Sequence, residues 1–127
     1  MNTLIDAAQK AKTQAYARYS NFQVGAALET SDKKIYTGCN IENASYSLTI
    51  CAERTAIFTA VAAGERHFSR MVIASDEGVS PCGACRQVIW ELCGDIPIIL
   101  VDKKGNERST TIAKLLPTAF DAHDLEK

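Results

Sequence analysis

The chain of 127 residues has no apolar run near the roughly 20 residues that a helix needs to cross a bilayer. Nor does one sign of charge dominate. Fourteen Lys and Arg against fifteen Asp and Glu leave a formal net charge of −1, with no basic stripe to attract a polyanion. That balance favours a small neutral substrate and argues against nucleic acid as partner, as the missing apolar run argues against a membrane. Internal repeats, low-complexity tracts and linkers are missing too, and the length suits one domain spanning residues 1–127. The opening stretch "MNTLIDAAQKAK" has no apolar signal-peptide core. The expected location is therefore the cytoplasm, where thiols stay reduced.

Against this plain background stand five cysteines: Cys39, Cys51, Cys82, Cys85 and Cys93. An odd number in a reducing compartment does not make a closed disulfide framework, and points first to metal binding or catalysis, second to buried thiols.

Hydrophobic spacing places these cysteines on elements. Leu4, Ile5, Ala8, Ala11 and Ala15 recur at helical intervals, predicting a helix over about 2–16. "FQVGAALET" and "KIYTGCNI" flank the polar "SDKK" and read as a hairpin. Residues 50–63 form an Ala-rich helix stopped by Gly64, apolar on most sides and so expected to be buried. "RMVIAS" reads as a strand, "PCGACRQVIWELCG" as a helix of about three turns, and "IPIILVD" as a strand. "KKGN" is a turn, "ERSTTI" an edge strand and "TIAKLLP" a short helix. The order α-β-β-α-β-α-β-β-α demands an α/β fold with helices on a mixed, partly parallel sheet.

Cys82 and Cys85, three residues apart at a helix start, share one face. A helix N-terminus favours thiolate, the form that binds zinc. The pair alone also fits a redox couple or two core thiols. Cys51 adds a third sulfur at another helix start, and Glu53 follows two residues later. Residues i and i+2 lie about 200° apart around an ideal helix. Cys51 and Glu53 can therefore meet at a metal only off the helix end. Three cysteines leave the fourth position of a tetrahedral ion open, as in catalytic sites; structural sites close it with a fourth protein ligand. Glu53 would then stand beside the bound water as proton acceptor and donor. Cys93 lies roughly 12 Å along the helix from Cys85, at 1.5 Å per residue, too far to complete the site. Cys93 and Cys39 read as core, His67 as surface.

Three thiolates on Zn²⁺ carry net −1, which opposes deprotonation of a bound water. Arg54 and Arg86 each follow a ligand and are candidates to offset that charge, Arg54 the stronger of the two; the alternative for each is a solvated helix surface.

"CAER" followed by "PCGACRQ" resembles the zinc-dependent cytidine deaminases of the small, homotetrameric, three-cysteine type. The resemblance extends from "AYARYSNFQVGAAL" through "GCNIENASYS" to "LLPTAF". It implies a three-layer α/β/α sandwich around a mixed five-stranded sheet. It implies one zinc per subunit on Cys51, Cys82 and Cys85, with Glu53 as proton shuttle. The implied reaction turns cytidine or 2′-deoxycytidine into the uracil nucleoside and ammonia through a metal-activated water, in pyrimidine salvage. The ribose-binding pair falls on Asn40 and Glu42, a substrate-side aromatic on Phe22, and the backbone that reads the base edge on Ala52. Tyr46 and Phe120 match residues that help complete a neighbouring subunit's site, and Arg54 matches the arginine that offsets thiolate charge. Arg18 stands where the family commonly has proline, which affects loop rigidity.

The residues themselves agree in part. Asn40 and Glu42, at a strand end with one residue between them, can point to one side and bond a sugar diol, though a polar turn would use them as well. Phe22 at a strand start suits core or stacking, and Phe120 near a polar tail docks either on its own domain or on a partner chain. Two other functions fit the same ligands: a structural zinc module that binds a partner, and a deaminase of a related cytosine-containing compound.

Overall fold

In a computed structural model that describes residues 2–126, the chain runs α1 (Asn2–Lys12), β1 (Val24–Thr30), β2 (Ile35–Cys39), α2 (Ala52–Ala62), β3 (Phe68–Ser75), α3 (Gly83–Cys93), β4 (Pro97–Val101), β5 (Glu107–Thr111) and α4 (Ile112–Leu115). Short 3-10 turns at Tyr46–Leu48 and Ala122–Asp124 complete the described residues. The strands form one sheet in the order β2-β1-β3-β4-β5. β3 and β4, joined through α3, pair in parallel; the other neighbours pair antiparallel. This is the mixed five-stranded sheet expected from the order of elements.

Alternation along the central strands builds two cores. Val24, Ala26 and Leu28 of β1, Met71 and Ile73 of β3, and Ile98 and Leu100 of β4 face Ala52, Ala56, Ile57 and Ala60 of α2, with Ile89 of α3 and Ile112 of α4. The intervening Ala27, Val72, Ala74, Ile99 and Val101 face Leu4, Ile5 and Ala8 of α1. Successive side chains on a strand point to opposite faces, so strands that are apolar throughout need cover on both. The result is three layers, with α1 on one side and α2 and α3 on the other. No helix among the described residues is long and apolar enough to cross a membrane.

Two glycines set how closely helices approach the sheet. A Cβ on Gly25 would lie 2.1 Å from the Ala8 carbonyl oxygen of α1, and one on Gly38 would lie 2.4 Å from the Ala56 nitrogen and 2.6 Å from the Ala52 oxygen of α2. Gly38 thus seats the first turn of α2, which carries Glu53, directly on β2. Overpacking of this kind typically costs about 1–3 kcal/mol. Gly38→Ala is expected to lower the unfolding free energy by that order, shifting the urea midpoint down, and to displace α2. An unchanged midpoint would show that α2 does not depend on this contact.

Two expectations need correction. α1 ends at Lys12, four residues before the spacing of Ala15 suggested. The Thr13 hydroxyl and amide both turn back to the Lys10 carbonyl, and Tyr16 leaves to bridge Ile41 through its own amide and carbonyl. Side-chain bonds to the backbone compete with the helix ladder, and the tertiary bridge wins. α2 is not buried all round: Phe58 is 44% exposed, and Thr59 and Ala62 are exposed with it. The C-terminus of α2 is as expected. Gly64 adopts φ +98°, with Gly64 N bonded to Val61 O and Glu65 N to Ala60 O. A left-handed glycine followed by this bond pair ends a helix and satisfies its last carbonyls.

Candidate active site

α2 and α3 each begin at a cysteine. Cys51 (φ −77°, ψ 156°) and Cys82 (φ −67°, ψ 169°) are the extended residues just before the first helical turns, and neither thiol caps a backbone N–H of its own helix. Cys85 sits in the first turn of α3. The two helix starts bring Cys51 Sγ within 3.8 Å of Cys82 Sγ, and Cys82 Sγ within 3.4 Å of Cys85 Sγ. All three sulfurs lie within 4.8 Å of one another, and no other such cluster of three His, Cys, Asp or Glu ligands occurs among the described residues. Cys85 is buried, Cys51 half-buried and Cys82 exposed, so the triangle opens on one side.

The donor chemistry fits zinc. Tetrahedral zinc with bonds of about 2.3 Å holds thiolate sulfurs roughly 3.8 Å apart, which the present spacing nearly meets. Soft thiolates select zinc over hard cations. The helix N-termini place their unpaired N–H groups, with partial positive charge, beside these sulfurs.

The extended backbone at Cys51 removes the conflict between i and i+2. Cys51 precedes the helix, so the 100° step per residue does not separate it from Glu53. Glu53 is 5% exposed and lies beside the sulfurs in the same pocket. Burial pushes its carboxyl up to about 7, and the nearby Cys51 sulfur adds to the shift. The neighbouring Cys85 thiol holds Cys51 well below the ordinary thiol range, helped by Arg54, whose Nη2 lies 3.5 Å from Cys51 Sγ. Cys85, beside the Cys51 sulfur and buried, is pushed up. The bond to Cys51 also raises Arg54, fixing it as a cation, while its buried Nε has no hydrogen-bond partner.

The second arginine is placed differently. Arg86 donates to the carbonyls of Pro81 and Leu115 and to Ser80 Oγ, tying the segment before Cys82 to the end of α4. It makes no hydrogen bond to a thiol.

Above the sulfurs lies an open cavity of about 240 Å³. Phe22, Asn40, Glu42, Tyr46 and Ala52 all line it, together with Cys51, Glu53 and Cys82. Asn40 and Glu42 are buried but only partly committed. Asn40 Oδ1 accepts from Val24 N and its Nδ2 donates to Phe22 O, leaving one N–H and one lone pair. Glu42 Oε1 accepts from the amides of Tyr19 and Ser20, and Oε2 from the Ser20 hydroxyl, leaving acceptor capacity on Oε2. Ala52, the first residue of α2, has an amide with no partner inside its own helix. Phe22 is 41% exposed and Tyr46 60% exposed at the rim.

Phe120 does not join this pocket. It is 58% exposed, and its carbonyl accepts from Gln87 Nε2 on α3. Cys93 packs half-buried against the core, and burial pushes its thiol up to about 12. Cys39 at the end of β2 is half-buried, and His67 is exposed. Arg18 is exposed and lies 5.3 Å from the centre of the Tyr19 ring. Sequence reasoning passed over Ser20, which lines the pocket and bonds Glu42. Its one signal was its place in "RYSNF", two residues before Phe22. Val24, Ile73 and Val79, also in the lining, read only as ordinary strand and loop residues.

Known proteins share this arrangement. Residues 1–100 match the family model for the cytidine and deoxycytidylate deaminase zinc-binding region. A cytidine deaminase of Sporosarcina psychrophila is 57% identical over 96% of this chain and 92% of its own length. One from Halalkalibacterium halodurans is 48% identical over 96% and 95%. The crystal structure of cytidine deaminase from Burkholderia pseudomallei superposes with a TM-score of 0.91 at 49% identity, covering 94% of this chain and 98% of that one. With three thiols at two helix starts and a buried carboxyl beside them, the chain belongs to the zinc-binding cytidine and deoxycytidylate deaminase family.

Proposed function

We propose that this protein hydrolyses cytidine and 2′-deoxycytidine to uridine and 2′-deoxyuridine, releasing ammonia. The observation that carries this reading is the buried Glu53 carboxyl beside the Cys51, Cys82 and Cys85 sulfurs, in a pocket also lined by Asn40 and Glu42. One water is consumed and one amine leaves, so each turnover moves protons from the water to the base and to the departing nitrogen. Cys51, Cys82 and Cys85 would hold one zinc ion, which when bound supplies Lewis-acid activation of a water molecule.

Glu53 takes a proton from that water and delivers it to N3 of the cytosine ring. It then carries a proton to the leaving amine. A buried carboxyl, its proton affinity raised by burial, suits both directions of transfer near neutral pH. The free Ala52 amide would bond the base edge, fixing the ring over the carboxyl. Phe22 would cover one side of the base and exclude water. Asn40 and Glu42 would take the sugar hydroxyls, Asn40 as donor and acceptor, Glu42 as acceptor. Arg54 would temper the negative charge of the thiolates.

On the same reading the chain is one domain and works as a homotetramer in the cytoplasm, in pyrimidine salvage. Exposed Phe58, Leu48, Tyr46 and Phe120 favour association, because large apolar side chains gain by being covered. In such an assembly Tyr46 and Phe120 would reach a neighbouring subunit's site. A spectrophotometric assay tests the activity. With cytidine, loss of the cytosine absorbance band should match ammonia release one to one. Absence of both, with cytidine and with 2′-deoxycytidine, would overturn it.

A further inference from the structure

The Ser20 hydroxyl sits between two of the pocket's walls. It donates to Glu42 Oε2 and accepts from the Phe22 amide at 3.0 Å. Glu42 is also held by the amides of Tyr19 and Ser20, each at 3.0 Å, but these reach only Oε1. Ser20 is therefore the contact in this set that fixes Oε2, the oxygen with acceptor capacity to spare. Its bond is also the largest influence keeping Glu42 below the ordinary carboxylate range, with its burial opposing.

The local backbone serves this contact. Asn21, between Ser20 and Phe22, adopts φ +61°, a left-handed conformation that asparagine tolerates better than most residues. That turn brings the Phe22 amide back onto the preceding hydroxyl, a bond from residue i to i+2. On its other side the Phe22 peptide is held by Asn40 Nδ2, 2.7 Å from its carbonyl oxygen. Glu42, Ser20, Phe22 and Asn40 thus form a continuous hydrogen-bonded run along one edge of the cavity.

We infer that Ser20 is a positioning residue for nucleoside recognition: its hydroxyl orients Glu42 Oε2 towards the sugar and locks that carboxylate to the Phe22 peptide. The inference rests on the reading of the pocket as a nucleoside site. In this role Ser20 acts through Glu42 rather than on the reacting atoms. Its loss should weaken ground-state binding of a hydroxylated sugar and leave the chemical step nearly intact. The Phe22 peptide keeps its Asn40 bond, so the aromatic wall shifts little.

Steady-state kinetics of the zinc-loaded wild type, Ser20→Ala and Ser20→Thr, with cytidine and with 2′,3′-dideoxycytidine, separate the possibilities. Ser20→Ala should raise KM for cytidine roughly tenfold, the effect of one hydrogen bond to a charged group, with kcat changed less than about threefold. For the dideoxynucleoside, which lacks the hydroxyls Glu42 would accept, kcat/KM should change less than about threefold. Ser20→Thr keeps the hydroxyl and should restore the cytidine KM. A wild-type cytidine KM in Ser20→Ala overturns the inference. So does an equal loss on both substrates, or a Ser20→Thr as impaired as Ser20→Ala. Failure of the wild type itself to turn over cytidine overturns instead the nucleoside reading on which the inference rests.

Discussion

Glu53→Gln is expected to leave a folded protein with a full complement of zinc and to lower kcat by about 10²–10⁴-fold, the usual worth of a positioned acid–base group. The substitution removes a proton carrier while keeping size and most hydrogen-bonding capacity. Glu53 is enclosed at 5% exposure, and Glu42, the other carboxylate lining the pocket, is held by the Tyr19 and Ser20 amides and the Ser20 hydroxyl, so it is not placed to take over. Burial of Glu53 is also what lifts the carboxyl to about 7. An exposed acid at the same distance would be a weaker base at neutral pH, take a proton from the water less readily and seldom hold one to pass to the leaving amine. Kinetics combined with metal analysis check the prediction. Turnover near wild type would remove Glu53 from the mechanism. Loss of zinc along with activity would make it part of the metal's support.

Cys51→Ala is expected to lower the zinc content from about one per chain towards zero and to abolish turnover. Two of the three sulfurs stand at the start of α3, whereas Cys51 is the one at the start of α2. Without it the remaining pair is an ordinary i, i+3 couple on one helix, and zinc bound by two thiolates is held far more weakly. Arg54 would also lose its partner, leaving a partly buried cation with an unbonded Nε. That vacancy should destabilise the start of α2 in addition to emptying the site. The measurement is metal per chain after dialysis, alongside activity before and after added zinc. Stoichiometric zinc in dialysed Cys51→Ala would remove Cys51 from the ligand set.

The sheet was legible because each central strand is apolar on both faces and bounded by turn residues, leaving few alternatives for "RMVIAS" or "IPIILVD". The end of α2 was legible because Gly64 can adopt a left-handed conformation that other residues resist. The end of α1 was not. It is decided by Tyr16 bridging Ile41, a contact between residues far apart in sequence that helical periodicity ignores. The same limit applies to Arg86. Its position after Cys85 suggested a charge near the sulfurs, yet its bonds run to Pro81, Ser80 and Leu115. Which way a side chain turns from a helix start depends on what is packed there.

At the site itself the three sulfurs were legible from spacing and helix starts, because convergence at two N-termini is a geometric consequence of those starts. Phe22, Asn40 and Glu42 came from resemblance more than from their residue types, and the structure brings them to one cavity. Ser20 had no distinguishing mark: a serine beside an asparagine reads as turn material. Only the folded loop, with Asn21 in its left-handed conformation, places its hydroxyl between Glu42 and Phe22.

The central claim is that Cys51, Cys82 and Cys85 supply all the protein ligands of a metal site that keeps one position open for chemistry. X-ray absorption at the zinc edge of the loaded protein tests it most directly. Three sulfur neighbours and one lighter, exchangeable donor, displaced when a substrate-like inhibitor is added, is the result expected of a deaminase. Four fixed protein donors, unaffected by inhibitor, would contradict it and make the site a structural one.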